Sequence, residues 1–132
     1  MEKDSLIAVI EGQEIEIDDK LLKHIPYFQE WLTLNDNKKD IKCEIKSVVS
    51  LNNWERIVKI LTHYDFCIPQ GPKVTSTRAH EHLDKFILSL FGSLRSSQIN
   101  SLFVAVKFLK IEQIQNQIAC YLACQVYLDN TD

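Results

Sequence analysis

The chain has 132 residues, enough for one domain that buries its own core, and 45% of them are hydrophobic and 25% charged. The net charge of −3 argues against a general nucleic-acid binder, for which a basic face is the usual feature. No apolar run is long enough to span a bilayer, and the first residues carry no signal-peptide pattern, so we expect a cytoplasmic or nuclear protein whose four cysteines are reduced thiols.

Three strands are predicted in the first third of the chain. Residues 6–10 are short, rich in β-branched side chains and end at a turn signal. Residues 14–17 alternate polar and apolar side chains, so the two segments are expected to pair as an antiparallel hairpin. Residues 41–46 alternate strictly, which predicts a third strand with one solvated face, whose lysines would discourage pairing with another chain at a sheet edge.

Helices are predicted wherever apolar residues recur three and four positions apart. They cover 19–24 after an aspartate N-cap at Asp18 or Asp19, a short helix that begins at Pro26, a helix capped by Ser50 that extends to about Tyr64, and 78–91, followed by Gly92. Two more helices fill the last third and meet at a corner near Lys110 and Ile111. The first of these is apolar almost all round, with a stripe of Leu102, Ala105, Val106 and Leu109, so we expect it to be central.

Together these elements predict one α+β domain over residues 5–128, with a small three-stranded sheet flanked by helices. Residues 67–77 contain Pro69, Gly71 and Pro72 and are predicted to form a flexible loop within it.

No catalytic, metal or cofactor site is expected. Cys120 and Cys124 lie one helical turn apart, but their spacing matches no common zinc pattern. A Cys–His nucleophile, such as Cys67 with His63 or Cys43 with His24, would require a spatial adjacency that the sequence does not reveal. The chain has only three glycines and nothing that resembles a glycine-rich phosphate loop, so we expect no enzymatic activity.

Four stretches carry a resemblance to a known family. They are the hairpin over 6–17 that leads into Asp18-Asp19, the helix over 54–64 that ends in Thr-His-Tyr, the segment Asp84-Lys85-Phe86-Ile87, and Ala-Val-Lys-Phe-Leu-Lys-Ile at 105–111. In this order they resemble the Skp family of the BTB/POZ-like superfamily, whose corresponding last motif is Ala-Ala-Asn-Tyr-Leu-Asp-Ile. Pro26-Tyr27-Phe28 is also similar to the Ser-Pro-Tyr-Phe of BTB domains.

The resemblance implies a BTB/POZ-like fold and a non-enzymatic adaptor that links a substrate receptor to a cullin in an SCF-type ubiquitin ligase. The family's cullin-facing Asn-Tyr pair falls on Lys107 and Phe108, and its acidic residue falls on Lys110. Because exchanging charge at an interface selects against the original partner, the alternative is a structural subunit of another assembly with no ubiquitin-ligase role.

The last helix is the candidate receptor-facing surface, for F-box proteins or, as in the related elongin C that also ends near this point, for other short helical motifs. Trp31 is a further candidate, weighed evenly against a place in the core, whereas Trp54 is expected in the core. The candidate partner-binding residues are Trp31, Ile114, Ile118, Tyr121, Leu122, Gln125, Val126 and Tyr127. The alternative is that the helix over 78–91 covers the last helix.

Dimeric BTB domains usually carry an N-terminal extension that exchanges with a partner subunit. Only Met1 to Ser5 precede the first predicted strand, which favours a hetero-complex over a homodimer.

Overall fold

The computed structural model describes residues 6–36, 42–45, 47–67 and 85–129, with side chains as far as Leu122, and has a mixed α+β architecture. The strands in these ranges are β1 (Leu6–Ile10), β2 (Gln13–Ile17) and β3 (Cys43–Glu44). The helices in the same ranges are α1 (Asp19–His24), α2 (Pro26–Leu34), α3 (Leu51–His63), α4 (Lys85–Gly92), α5 (Ser96–Leu109) and α6 (Glu112–Asp129).

β1 is the central strand of the sheet, whose order is β2-β1-β3. It pairs with β2 in the antiparallel sense, Leu6 opposite Ile17, which confirms the predicted hairpin. Glu11 and Gly12 join the two strands with φ values of 51° and 78°, the left-handed pair that a two-residue hairpin turn requires. β3 pairs with β1 in the parallel sense and lies at the edge, as predicted, although the assigned strand is shorter than the expected 41–46.

One face of the sheet is the core face. Leu6, Ala8 and Ile10 of β1 are fully buried, whereas Ile7 and Val9 on the opposite face are half-buried. β1 is therefore fully covered on one face and partly covered on the other. On the outer side Glu14 of β2 forms an ion pair with Lys42, which precedes β3.

The helix boundaries follow the predicted caps. Asp18 is the N-cap of α1 and its Oδ1 accepts a hydrogen bond from the Leu21 amide at 2.9 Å. Ser50 caps α3 in the same way by accepting from the Asn53 amide at 3.1 Å. Pro26 occupies the first turn of α2, where its missing N–H costs nothing. α4 is described from Lys85, so residues 78–84 of the predicted helix, and 68–77 of the predicted loop, lie outside the described ranges.

α5 is the central helix, with contacts to α2, α3 and α6. Its predicted stripe of Leu102, Ala105, Val106 and Leu109 is fully buried. It is less enclosed than its composition suggested, because Val104 is 48% exposed. A corner between α5 and α6 forms at Lys110, which adopts a left-handed φ of 63° and lets the Ile111 amide donate to the Val106 carbonyl at 3.2 Å.

Candidate functional site

Helices α2 and α5 share a surface that combines aromatic rings with basic side chains. We name it the α2–α5 surface and define it as Tyr27, Glu30, Trp31, Val104, Lys107, Phe108 and Lys110. It contains the three residues that the resemblance assigns to a cullin-facing side. On α5, Val104, Lys107 and Phe108 are spaced by three and four positions and therefore share one side of the helix.

An aromatic contact joins the two helices. The ring centroids of Tyr27 and Phe108 are 4.6 Å apart, and Tyr27 also meets Phe28 edge-on at 5.8 Å. Phe108 is half-buried, so one part of its ring stabilises the α2–α5 contact while the rest remains accessible. Such aromatic pairs add about 1 kcal/mol beyond the area they bury, which fixes the position of the Phe108 ring.

The positive charge of Lys110 is neutralised by a carboxylate on α2. Its ammonium forms an ion pair with the Glu30 carboxylate, and both side chains remain more than half exposed. An exposed pair of this kind contributes at most ~1 kcal/mol to stability, so its main effect here is to cancel a charge. No acidic residue among those described lies within salt-bridge distance of Lys107, which is exposed. The α2–α5 surface thus presents the exposed ammonium of Lys107 directly beside the accessible ring of Phe108.

Trp31 combines the two alternatives that the sequence left open, a place in the core and a place at the surface. It is half-buried and packs against the core, while part of its indole remains at the surface. One helical turn further along α2, Leu34 is 83% exposed. The apolar surface of α2 therefore extends from Tyr27 past Trp31, and aromatic side chains in such positions are typical anchors of protein interfaces.

The last helix does not offer the surface that the sequence suggested. Ile114 and Ile118 are fully buried and Tyr121 is 8% exposed, because α6 packs against both α5 and α4. The rings of Phe91 and Tyr121 meet edge-on at 5.4 Å. These three candidate residues lie in the core, and the contact between Phe91 and Tyr121 agrees with the alternative in which the helix over 78–91 covers part of the last helix.

Leu122 is half-buried and keeps some accessible surface. The side chains of the remaining candidates, Gln125, Val126 and Tyr127, lie outside the described part of the chain.

A cavity of about 530 Å³ between α3 and α4 was not anticipated from the sequence. It is lined by Trp54, Glu55, Val58, Lys59, Thr62, His63 and Phe86. The imidazole of His63 stacks on the ring of Phe86 with centroids 3.8 Å apart and planes 7° from parallel. Val58 of α3 lines this cavity and is half-buried, and nothing in the sequence indicated that it would stay accessible.

A polar cluster joins α3 to α5. Asn53 is buried, and its Nδ2 donates to Ser101 Oγ at 2.9 Å while its Oδ1 accepts from Arg56 Nη1 at 2.8 Å. A buried amide with both ends paired contributes to stability and fixes its neighbours. Arg56 and Ser101 line the same surface depression between α3 and α5.

The structure bears on the residues of the two Cys–His pairs that the sequence left open. Cys43 is fully buried in the sheet, and burial raises the pKa of its thiol to about 11, the opposite of the lowered pKa that an attacking thiolate needs. His24 lies with Nδ1 2.8 Å from the Lys20 carbonyl oxygen and its ring 5.1 Å from that of Phe66. Cys67 is exposed, whereas Cys120 is buried.

The raised pKa of Cys43 predicts how stability depends on pH. The unfolded chain releases the thiol proton near its ordinary pKa of 9.0, whereas the folded chain keeps it to about pH 11. Stability is therefore unaffected below about pH 9 and falls by roughly 2 kcal/mol as the pH approaches 11, at about 1.4 kcal/mol for each pKa unit. Burial also raises the pKa of Tyr27, with a second contribution from the Cys43 charge, so Tyr27 adds to this loss above pH 10.

Urea unfolding between pH 7.5 and 10.5 measures the loss, and Cys43→Ala is the matched variant. It lowers stability at every pH by leaving a small cavity, but it should flatten the decline between pH 9 and 10.5. An unchanged decline in Cys43→Ala would show that other groups cause it.

Within the described ranges, no group of three or more His, Cys, Asp or Glu side chains could hold a metal ion. No helix there combines the length and the apolar character needed to cross a bilayer. No protein family matches the chain, and no curated protein matches its sequence at a significant level.

Proposed function

We propose that the chain is a non-enzymatic adaptor with a BTB/POZ-like, Skp-like fold that links a substrate receptor to a cullin in an SCF-type ubiquitin ligase. The α2–α5 surface is its cullin-facing side. The adaptor acts by holding two proteins together, so its activity resides in surfaces rather than in a catalytic centre.

The observation that carries the proposal is the position of the motif over 105–111. Its apolar members Ala105, Val106 and Leu109 are buried, which leaves Lys107 exposed and Phe108 half-buried at the end of α5. These are the two positions that the resemblance assigns to the cullin. The Tyr27 contact supports the same proposal, because it holds the Phe108 ring in place before any partner binds and so reduces the entropy lost on binding.

The order of elements also supports the proposal. A hairpin, two short helices, a third strand, α3 and then the helices α4 to α6 follow one another in the order that the sequence predicted.

Lys107 is the residue on which the proposal can be tested. The family carries an asparagine there, so Lys107→Asn should strengthen binding to a cullin by about tenfold if the lysine weakens an otherwise intact site. The measurement is recovery of cullin with the tagged full chain from its own cells, followed by titration of the purified pair. Lys85→Asn is the matched control, because it makes the same chemical change at an exposed position on α4.

Recovery of a cullin in near-stoichiometric amount, with the expected gain in Lys107→Asn alone, would support the adaptor function. Absence of any cullin, or equal affinity for the wild type and Lys107→Asn, would contradict it.

The second candidate function is a structural subunit of another protein assembly with no ubiquitin-ligase role. The specific observation in its favour is the charge of the α2–α5 surface, where Lys107 stands in place of an amide and Lys110 in place of an acid. Lys110 is already neutralised by Glu30, so the difference from the family is concentrated in Lys107. The same purification separates the two candidates, since a reproducible partner without a cullin would favour the assembly subunit.

A further inference from the structure

The charge of α5 differs from that of the rest of the chain. The protein as a whole is acidic, with a net charge of −3, yet the stretch over 95–110 contains Arg95, Lys107 and Lys110 and no acidic residue. Of these cations only Lys110 has a carboxylate partner among the described residues, Glu30. This helix therefore generates a local positive field within a negatively charged protein.

The solvent side of α5 is a continuous ridge. We name it the α5 face and define it as Ser97, Asn100, Ser101, Val104 and Lys107, which recur three and four positions apart and are all exposed. At 1.5 Å per residue it is about 15 Å long. Its first three side chains are polar and neutral, Val104 is apolar, and Lys107 at the end carries an ammonium.

Cations border this ridge along its whole length. Arg95 precedes its first turn and is exposed. Arg56 reaches it near the middle, held through Asn53, which donates to Ser101. Lys107 marks its far end, beside the accessible ring of Phe108. In the described part of the chain none of the three cations lies within salt-bridge distance of a carboxylate, so three positive charges and two apolar contact points remain available.

We propose that the α5 face binds an acidic helix of a protein partner, with carboxylates distributed over about 15 Å and an apolar side chain that contacts Val104 and Phe108. Charge complementarity favours an acidic partner segment, because the cations around the α5 face attract carboxylates and repel basic segments. The shape of the α5 face favours a helical partner segment, because a ridge of side chains three and four positions apart packs into the groove of another helix. The inference rests on the proposed function in one respect, namely that a protein partner binds on the α5 side of the molecule. It does not require that this partner is a cullin.

A photo-crosslinking amino acid at Val104 of the full chain, expressed in its own cells, tests the proposal. Mass spectrometry then identifies the partner segment that is joined to Val104. We expect a segment with more Asp and Glu than Lys and Arg, and a crosslink yield that falls as the salt concentration is raised. The same amino acid at Gln13, an exposed residue of β2, reports the background.

Charge reversal gives the second readout. Lys107→Glu should reduce the yield at Val104 at least tenfold, and Lys85→Glu on α4 not at all. Replacing an acidic residue of the captured segment with lysine should restore crosslinking to Lys107→Glu. Thermal unfolding of each variant checks that the fold is retained, which exposure of Lys107 leads us to expect.

The outcomes separate this inference from the proposed function. A captured acidic segment from a protein other than a cullin would support the inference and contradict the cullin link. A cullin captured through a neutral or basic segment would overturn the inference and leave the cullin link intact. A segment of this chain itself, a nuclease-sensitive product, a yield no higher than at Gln13, or equal effects of Lys107→Glu and Lys85→Glu would also overturn it.

Discussion

Phe28→Ala is expected to lower the free energy of unfolding by about 4 kcal/mol, which is a large fraction of the 5–15 kcal/mol typical of a domain. Phe28 is fully buried, and its ring meets Trp54 of α3 at 6.1 Å and Tyr27 at 5.8 Å, both edge-on. Its removal leaves a cavity between α2 and α3 and takes away two aromatic contacts. Urea unfolding followed by circular dichroism measures the loss.

Leu34→Ala is the matched control for this prediction. Leu34 lies on the same helix but is 83% exposed, so its truncation should change stability by less than about 0.5 kcal/mol. Tryptophan emission gives a second readout, because Trp54 loses a packing neighbour in Phe28→Ala and none in Leu34→Ala. Equal effects of the two truncations, or a loss below about 1 kcal/mol in Phe28→Ala, would mean that Phe28 is not packed against Trp54 as described.

Ile118→Ala is expected to cost about 3 kcal/mol of stability, the second large effect. The sequence suggested a partner-facing role for Ile118, whereas the structure has it fully buried in α6. The two assignments lead to opposite results. A core residue loses folding free energy on truncation, whereas a partner-facing residue loses binding and leaves the unfolding midpoint unchanged.

The comparison for Ile118 is Leu122→Ala, one helical turn further along α6. Leu122 is half-buried, so its truncation should cost about 1 kcal/mol, since less apolar area is returned to water. The ratio between the two losses is the measured quantity, from urea unfolding of the purified variants. An unfolding midpoint that does not move in Ile118→Ala would restore the earlier assignment of α6 as a receptor-facing surface.

The parts of this fold that the sequence predicted well are those that depend on near neighbours. A hairpin turn needs only Glu11 and Gly12, and the caps at Asp18 and Ser50 bond to amides three positions away. The corner at Lys110 is similar, because it closes bonds to carbonyls of the same helix. Local propensity and local hydrogen bonding determine such features, so reading the chain in order is sufficient to find them.

The features that the sequence missed arise from contacts between distant residues. An apolar stripe shows that one side of α6 is buried, but not whether α4, α5 or a partner buries it. The ion pair between Glu30 and Lys110 and the aromatic contact between Tyr27 and Phe108 each join residues that are far apart in the chain. Their consequence for the site, a Lys110 paired with Glu30 beside the exposed Lys107, follows only once α2 has docked on α5.

The parallel pairing of β1 with β3 also bears on the order in which the molecule assembles. β2 follows β1 directly after a two-residue turn, whereas β3, the other neighbour of β1, comes only after α1 and α2. Pairing of Cys43 with Ala8 therefore closes a long loop. Closing so long a loop costs conformational entropy before any pairing compensates for it, whereas α5 and α6 meet across a short corner. The helical half can therefore collapse early and the sheet is completed late, so substitutions in β3 should slow folding less than they speed unfolding.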